Sequence, residues 1–443
     1  MAFEITEPRP AMNQVTMTVS RASISDQTAD LAAHFDVAIM PFAQGLAALE
    51  AIGQTCQSGF SCSPHWVSHW AAHVNPNIAI IIASRNGQII LVLALEVVNK
   101  SGLKIAQFVG GSHANANFPA MKAALSHAES VVLLKQLETG LKAKPWSVDA
   151  IILERQLDTL GDMPNPLIAN GSSTSPNIAL HLNVDQSFDA VLETRSAKRK
   201  RKRNRSQQRK FEAAGGFNIV NPNTKADIEP LLDTYFAMKA AQLSGKGVAN
   251  VFGRPNEQAF FKALFSDNTP DRDHNFYLSS LSVGGKTRAI YGSSLHGPRQ
   301  IVHFTAFADD ELTAASPGDF LNFALVEAAC NGDVKIYDLG IGDEGYKRSW
   351  CDVETWHRDT VIGISLQGKL AKLQFDATRS AKRWIKNNEK LWAFAKRIRK
   401  IKADRSNEPR QGSNSAEDGS ELDRKSTRLN SSHPSISRMP SSA

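Results

Sequence analysis

The sequence is short of the features that would settle a chemistry at once. Its 443 residues hold four cysteines, Cys56, Cys62, Cys330 and Cys351. None forms a CxxC pair, which excludes a disulfide framework and fits a reducing compartment. No HExxH and no paired Cys/His spacing occurs, so no metal site is expected. There is no GxSxG elbow and no Walker loop, which removes two common enzyme classes. The longest apolar run, 78–98, is broken by Arg85-Asn86-Gly87 and falls short of the ~20 uninterrupted residues of a membrane span. The opening MAFEITEPRPAMNQ has no apolar core. A cytoplasmic chain without a secretory signal is the expectation.

What is present is an ordinary globular composition. Apolar residues make up 42% and charged residues 21%, enough for a packed core. At roughly 150 residues per domain, the length predicts two or three domains. Lys and Arg number 51 against 44 Asp and Glu, a formal +7. The excess is concentrated. Residues 195–210 carry ten Lys/Arg and no acid, and residues 379–405 carry eleven against Glu389 and Asp404. The rest of the chain is net acidic, which excludes a uniformly basic nucleic-acid binder. Residues 1–35 are polar and read as a flexible leader. Residues 403–443 are expected to be disordered. The stretch from about Lys425 resembles translated sequencing-adaptor read-through and is set aside.

Periodicity predicts an α/β (α+β) chain with mostly antiparallel sheets. Helices are expected at 41–53 and 63–74, the second capped by Ser63 with Pro64 behind it. Two β-rich runs flank Asn86-Gly87 and read as a hairpin. A strand at 103–111, a helix at 118–140 stopped by Gly140, and strands at 148–156 and 177–183 follow. Residues 188–214 read as one long polar helix. The second half repeats the rhythm: strand 217–221, helices 225–244 and 256–267, strands 275–283, 287–297 and 299–309, helix 316–332, strands 334–340 and 360–366. A basic amphipathic helix spans 370–402, and its 379–402 part either packs on its own domain or lies on an anionic membrane surface. The shared order of the two halves hints at internal duplication.

Two segments carry candidate chemistry. In Ser316-Pro317-Gly318-Asp319 the expected pattern is a capping box, Ser316 at N-cap, Pro317 at N1 and Asp319 at N3. Gly318 lacks a helix-propensity reason and would admit a ligand to the backbone, as an anion site requires. The plain alternative is a well-capped core helix. Tyr337 to Lys347 places titratable groups and three glycines at the end of a buried strand. Lys347 is read as an exposed loop lysine able to neutralise a phosphate or an oxyanion. His303 lies on a strand and is either a hydrogen-bonded core residue or a base. The 198–210 run is either a solvated helix face or a phosphate-binding element.

These residues carry a resemblance. Ser316-Pro317-Gly318, the helix end at Gly332, Tyr337-Asp338 and Gly342-Asp343-Glu344-Gly345-Tyr346-Lys347 resemble the C-terminal half of Fem/BioF-type GNAT acyltransferases, in the CelD-like, cellulose-biosynthesis-associated branch. Arg195 to Gly216 and the early Phe60, Ser63-Pro64, Trp66 and Trp70 fit the same pattern. The resemblance implies two tandem GNAT-like domains, at 36–185 and 186–402. It implies acetyl-CoA or another acyl-CoA as donor, no metal, and an amine acceptor on a small molecule, glycan or peptide. Exopolysaccharide or cell-envelope biosynthesis is the implied setting. It further implies that the donor pyrophosphate rests on Ser316, Gly318, Asp319 and Phe320, and that Lys347 meets a phosphate. Asp343, Glu344 and His303 are the implied base candidates, and Tyr291, Tyr337, Asp338 and Tyr346 the substrate contacts. The usual Gln/Arg-x-x-Gly-x-Gly/Ala loop is missing; SPGD stands at the equivalent junction. Two other readings stay open: a Fem-type transferase using aminoacyl-tRNA held on 195–210, and a non-catalytic polysaccharide-biosynthesis accessory protein.

Overall fold

The computed structural model describes residues 35–388, apart from 54, 55, 57, 246, 247 and 268–273. The expected leader, the tail and the end of the basic helix lie outside the described residues. The first half runs β1 (Phe35–Pro41), α1 (Phe42–Gly53), α2 (Pro64–His73), β2 (Ile78–Arg85), β3 (Gln88–Lys100), β4 (Leu103–Phe108), β5 (Ala120–Met121), α3 (His127–Lys142), β6 (Ala150–Gln156), a small β7–β8 pair (Thr159–Leu160 and Met163–Pro164) and β9 (Ser173–Asn183). The second runs α4 (Phe188–Glu193), α5 (Ala197–Ala213), β10 (Phe217–Val220), α6 (Lys225–Ser244), α7 (Pro255–Ser266), β11 (His274–Val283), β12 (Lys286–His296), β13 (Arg299–Phe307), α8 (Pro317–Cys330), β14 (Ile336–Ile341), α9 (Gly345–Arg348), β15 (Val353–Gly363) and α10 (Leu366–Asn387).

Local chemistry explains most of these elements. Asn86 and Gly87 adopt positive φ, 52° and 74°, as a two-residue hairpin turn demands. Ser63 accepts from the Trp66 N–H with Pro64 at N1. Three expectations are corrected. The helix expected over 118–140 begins at His127, where Ser126 and Glu129 form a reciprocal capping box; the preceding residues form β5. Gly140 does not end it, since the helix runs on to Lys142, and a Cβ at Gly140 would press into Ile39 of β1. The glycine permits close helix–strand packing rather than termination. The polar helix of 188–214 is two helices, broken where Ser196 takes φ 63°.

The strands form one 13-stranded sheet in the order β1-β2-β3-β4-β6-β15-β9-β14-β13-β12-β11-β10, with β5 beside β3. Each half contributes four antiparallel strands, then a parallel step, β4 to β6 and β13 to β14. The next strand is exchanged. β9 closes the first half in sequence yet lies against β14 of the second, while β15 closes the second and lies against β6 of the first. The exchanged strands pair with each other at the centre. The order of elements read from the sequence is thus a repeated topology with swapped last strands.

Three cores follow. One buries Leu93, Phe108, Leu133 and Leu137 under α3. One lies under α8 with Phe211, Tyr291, Phe320 and Tyr337. The third is common to both halves: Trp66, Trp70, Ile80 and Val92 pack with Tyr235, Phe260, Phe261 and Phe304. Helix α10 lies along β15 and β6, with Arg379 tied to Glu154 and Asp359, while Leu366, Leu370, Leu373 and Trp384 are exposed; of the apolar residues expected on the 379–402 stripe, all but Trp384 lie outside the described residues. Among the described residues no helix is long and apolar enough to cross a membrane.

Candidate functional site

The two parallel steps part differently. In the first half, β4 and β6 pair over Ile105–Gln107 and Ala150–Ile152. Beyond this the chain fills the opening itself: the Asn117 N–H donates to the Arg155 carbonyl, its side-chain amide to the Glu154 carbonyl, and the Leu157 N–H to the Asn117 carbonyl. In the second half, β13 and β14 pair at Arg299/Ile336, Gln300/Tyr337 and Ile301/Asp338. Among the described residues no backbone hydrogen bond bridges them further.

The divergence has a cause in the side chains. Asp338 is buried and accepts the Gly340 N–H at 2.7 Å, while Arg299 donates to its Oδ2 from Nε and Nη2 at 3.0 and 2.7 Å. Burial alone would raise the carboxyl pKa, but the Arg299 charge and these hydrogen bonds hold it below its usual value. The carboxylate thus folds the backbone back on itself, and Gly340 and Gly342 turn away at φ 70° and 137°. Glycine alone enters that region cheaply. Unpaired strand edges of this kind can hydrogen-bond an extended ligand.

The N-terminus of α8 follows the end of β13. The expected capping box is absent. Ser316 has φ 56° and its side chain makes no cap bond, because the left-handed turn carries its hydroxyl away. Asp319 instead faces Arg203 at 3.1 Å. The Asp319 and Phe320 N–H groups both donate to the Ser316 carbonyl, and Pro317 has none. The Gly318 N–H alone in this first turn makes no hydrogen bond among the described residues. A Cβ on Gly318 would meet only Phe307, at 3.7 Å, so the fold itself does not require glycine there. Tyr291 donates to the Gly318 carbonyl at 3.2 Å, and Tyr337, fully buried beneath the helix, to Asn322. Burial holds both phenols well above their usual pKa, so they remain donors.

Helix α5 covers this turn. Gln207 donates to the Ala315 and Ser316 carbonyls. Lys200 lies over the Trp350 ring, 3.6 Å from its centroid, and burial pushes its ammonium down to about 8. Lys198, Arg199, Lys202, Arg205, Arg209 and Lys210 face solvent. The basic run is therefore two faces, one holding α8 and one solvated.

The remaining expected residues separate. Lys347 is not an exposed loop lysine; it is 6% exposed, donates to the Ile341 carbonyl at 2.8 Å and lies 3.1 Å from Glu344. Asp343 is exposed and paired with Arg348. Tyr346 approaches Thr305 across the opening, and burial raises its phenol. His303 packs on Phe60 and Trp66 and bonds Ser294 at 2.7 Å. Burial lowers its pKa to about 3, which makes it a weak base. Three groups were passed over by sequence reasoning: Lys200, Arg299 and His181. His181 of β9 stands directly opposite Asp338 of β14, contacts Thr355, and is kept below its usual pKa by burial. Only the exchanged strand brings it there, so no local signal could have found it.

Residues 198–348 match the family profile of the acetyltransferase (GNAT) domain. No curated protein matches the chain. Among solved structures, FemX superposes with a TM-score of 0.50 at 13% identity, over 74% of this chain and 98% of its own; the likeness shows a shared fold. A conserved protein of unknown function from Bacteroides thetaiotaomicron gives 0.45 at 12%, over 72% and 96%. A tandem GNAT protein from the clavulanic acid biosynthesis pathway gives 0.41 at 10%, over 74% and 99%.

Proposed function

We propose that the chain is an N-acyltransferase that moves an acyl group from an acyl-CoA thioester, acetyl-CoA or a longer one, to an amine on a small molecule, glycan or peptide. The observation that carries this reading is the end of β13–β14 pairing at Ile301 and Asp338, spanned beyond by Tyr346 and set beside the unpaired Gly318 N–H, inside the segment with the GNAT match. The Gly318 N–H and the α8 dipole suit a phosphate. Of the three amides expected around it, those of Asp319 and Phe320 are already committed to Ser316. The strand edges beyond Ile301 and Asp338 supply N–H groups to an extended donor and to the oxyanion that forms when a neutral amine attacks the thioester carbonyl. Tyr291 and Asp338 hold the walls of the opening, and Lys347 fixes the Ile341 turn. The two halves, 36–185 and 186–402, divide the labour: the first closes its own parting and the second keeps its parting for substrate.

The setting we favour is cytoplasmic synthesis of exopolysaccharide or cell-envelope material, as in the CelD-like branch. The exposed stripe of α10 among its lysines suits contact with an anionic membrane surface. The solvated face of α5 favours a second reading, a Fem-type transferase fed by aminoacyl-tRNA; Arg205 and Arg209 also line a groove of about 380 Å³. A thiol-release assay with acetyl-CoA and longer acyl-CoAs over a panel of amines tests the first reading. Thiol release that depends on the amine is expected. No release with any acyl-CoA, together with tRNA binding that survives physiological salt, overturns it in favour of the second.

A further inference from the structure

Helix α2 carries His65 and His69 four residues apart, on one face. That face meets the C-terminal end of α7. There Asp267 turns one oxygen, Oδ2, toward both rings, 3.2 Å from His65 Nδ1 and 3.0 Å from His69 Nε2. The rings stand perpendicular, with centroids 4.6 Å apart. The His65 side chain is 4% exposed, while His69 and Asp267 are 21% and 31% exposed. The other nitrogen of His65, Nε2, lies 3.2 Å from the Leu264 carbonyl.

Protons decide what this cluster is. A carbonyl oxygen can only accept, so His65 Nε2 carries the hydrogen, and in the neutral ring Nδ1 then offers a lone pair. That lone pair faces a carboxylate oxygen. Two acceptors at this distance need a positive charge between them, either a second proton or a metal ion. A second proton creates an imidazolium in a nearly sealed position, whose desolvation cost the Asp267 carboxylate offsets only in part. A metal ion is matched instead by three donors from two elements. The three ligand atoms lie within 4.8 Å of one another, and Asp267 Oδ2 is 3.2 and 3.0 Å from the two ring nitrogens, close to the ~3.3–3.6 Å between neighbouring tetrahedral ligands bound at about 2.0–2.2 Å. The Leu264 carbonyl fixes the His65 tautomer as an outer partner does in such sites.

We propose that His65, His69 and Asp267 form a site for a divalent transition cation of the zinc class. The partial exposure of His69 and Asp267 gives an ion a way in from solvent. Its ligands come from the first half and the second, so the ion pins α2 to α7 and stabilises the folded chain. The sequence carries no accepted metal motif here, because the third ligand lies about two hundred residues from the histidine pair.

The test uses tag-free, full-length, chelator-stripped protein. Zn²⁺ is titrated in competition with a chromophoric chelator, and Co²⁺ is added separately for its visible bands. One equivalent bound, a rise in melting temperature and four-coordinate Co²⁺ bands are expected. His69→Gln, a partly exposed position, and Asp267→Asn should each weaken binding ~100-fold, as loss of one of three protein ligands implies. Circular dichroism checks that they fold. Absence of Zn²⁺ binding, or binding unchanged in both variants, overturns the proposal. So does an NMR titration showing His65 as an imidazolium in excess Zn²⁺.

Discussion

Lys347 is the residue whose role changes most between sequence and structure. Its ammonium satisfies the Ile341 carbonyl and sits beside Glu344 while almost wholly buried. Truncation strands a buried carbonyl and a half-buried carboxylate. Lys347→Ala should therefore cost about 1–3 kcal/mol in chemical denaturation. If stability holds while turnover collapses, the lysine meets substrate instead. His357 gives a second prediction. It is 2% exposed on β15, and burial lowers its pKa to about 4. Above its unfolded value near 6.5 it is neutral in both states and adds no pH dependence. As pH falls below about 6.5, the unfolded chain takes up a proton that the folded chain refuses until about pH 4. Stability should fall by about 1.4 kcal/mol per pH unit in that window from this group. His303 adds a similar slope. Denaturant midpoints across pH 7 to 4 check it: His357→Leu should show a shallower fall than the parent, and parallel curves would refute the assignment.

At the scale of the element, α8 is the informative helix. Its N-terminus lacks the box that its sequence suggests, and α5 instead anchors the turn through Gln207, which donates to the Ala315 carbonyl, and Arg203, which pairs with Asp319. Gly318 is then the position where fold and function separate. A larger side chain there meets only Phe307 at ordinary contact distance, so Gly318→Val should leave the melting temperature nearly unchanged. It should nonetheless weaken CoA binding by one to two orders of magnitude, roughly 1.4–2.8 kcal/mol, because a phosphate can no longer reach the amide. Calorimetry decides it, and equal affinity in a folded variant removes the phosphate from this turn. The element boundaries teach a related lesson. The Ser63 start of α2 and the Asn86-Gly87 turn were legible because their signals are local. The Ser126 start of α3 was equally local but was overrun by an apolar stretch that pairs with β3 instead.

At the scale of the whole molecule, the exchange of β9 and β15 makes each half incomplete without the other. Deleting the second half would strip β6 of β15 and leave β9 without partners. Open edges of that kind promote aggregation. The common aromatic core of α2 and α7 adds to the coupling. We expect one calorimetric transition, with van't Hoff and calorimetric enthalpies in agreement. Residues 36–185 expressed alone should be insoluble, and co-expression with 186–402 should restore a soluble pair. Two separated transitions, or a stable isolated first half, would show that the exchange contributes little.

The sequence by itself determined the α/β class, the hairpins, the helix starts marked by Ser63 and Pro317, and the position of SPGD between a strand and a helix. Each follows from interactions within a few residues of the chain. It also carried the rhythm of two similar halves. Only the tertiary structure decided how each parting is spanned, by the backbone of Asn117 reaching Glu154 and Arg155 in one half and by the Tyr346 side chain reaching Thr305 in the other. The same holds for the placing of His181 beside Asp338 and for the meeting of His65 and His69 with Asp267. Strand exchange and helix docking join residues that are far apart in the chain, and no local propensity encodes such a pairing. It is selected by the free energy of burying both halves together.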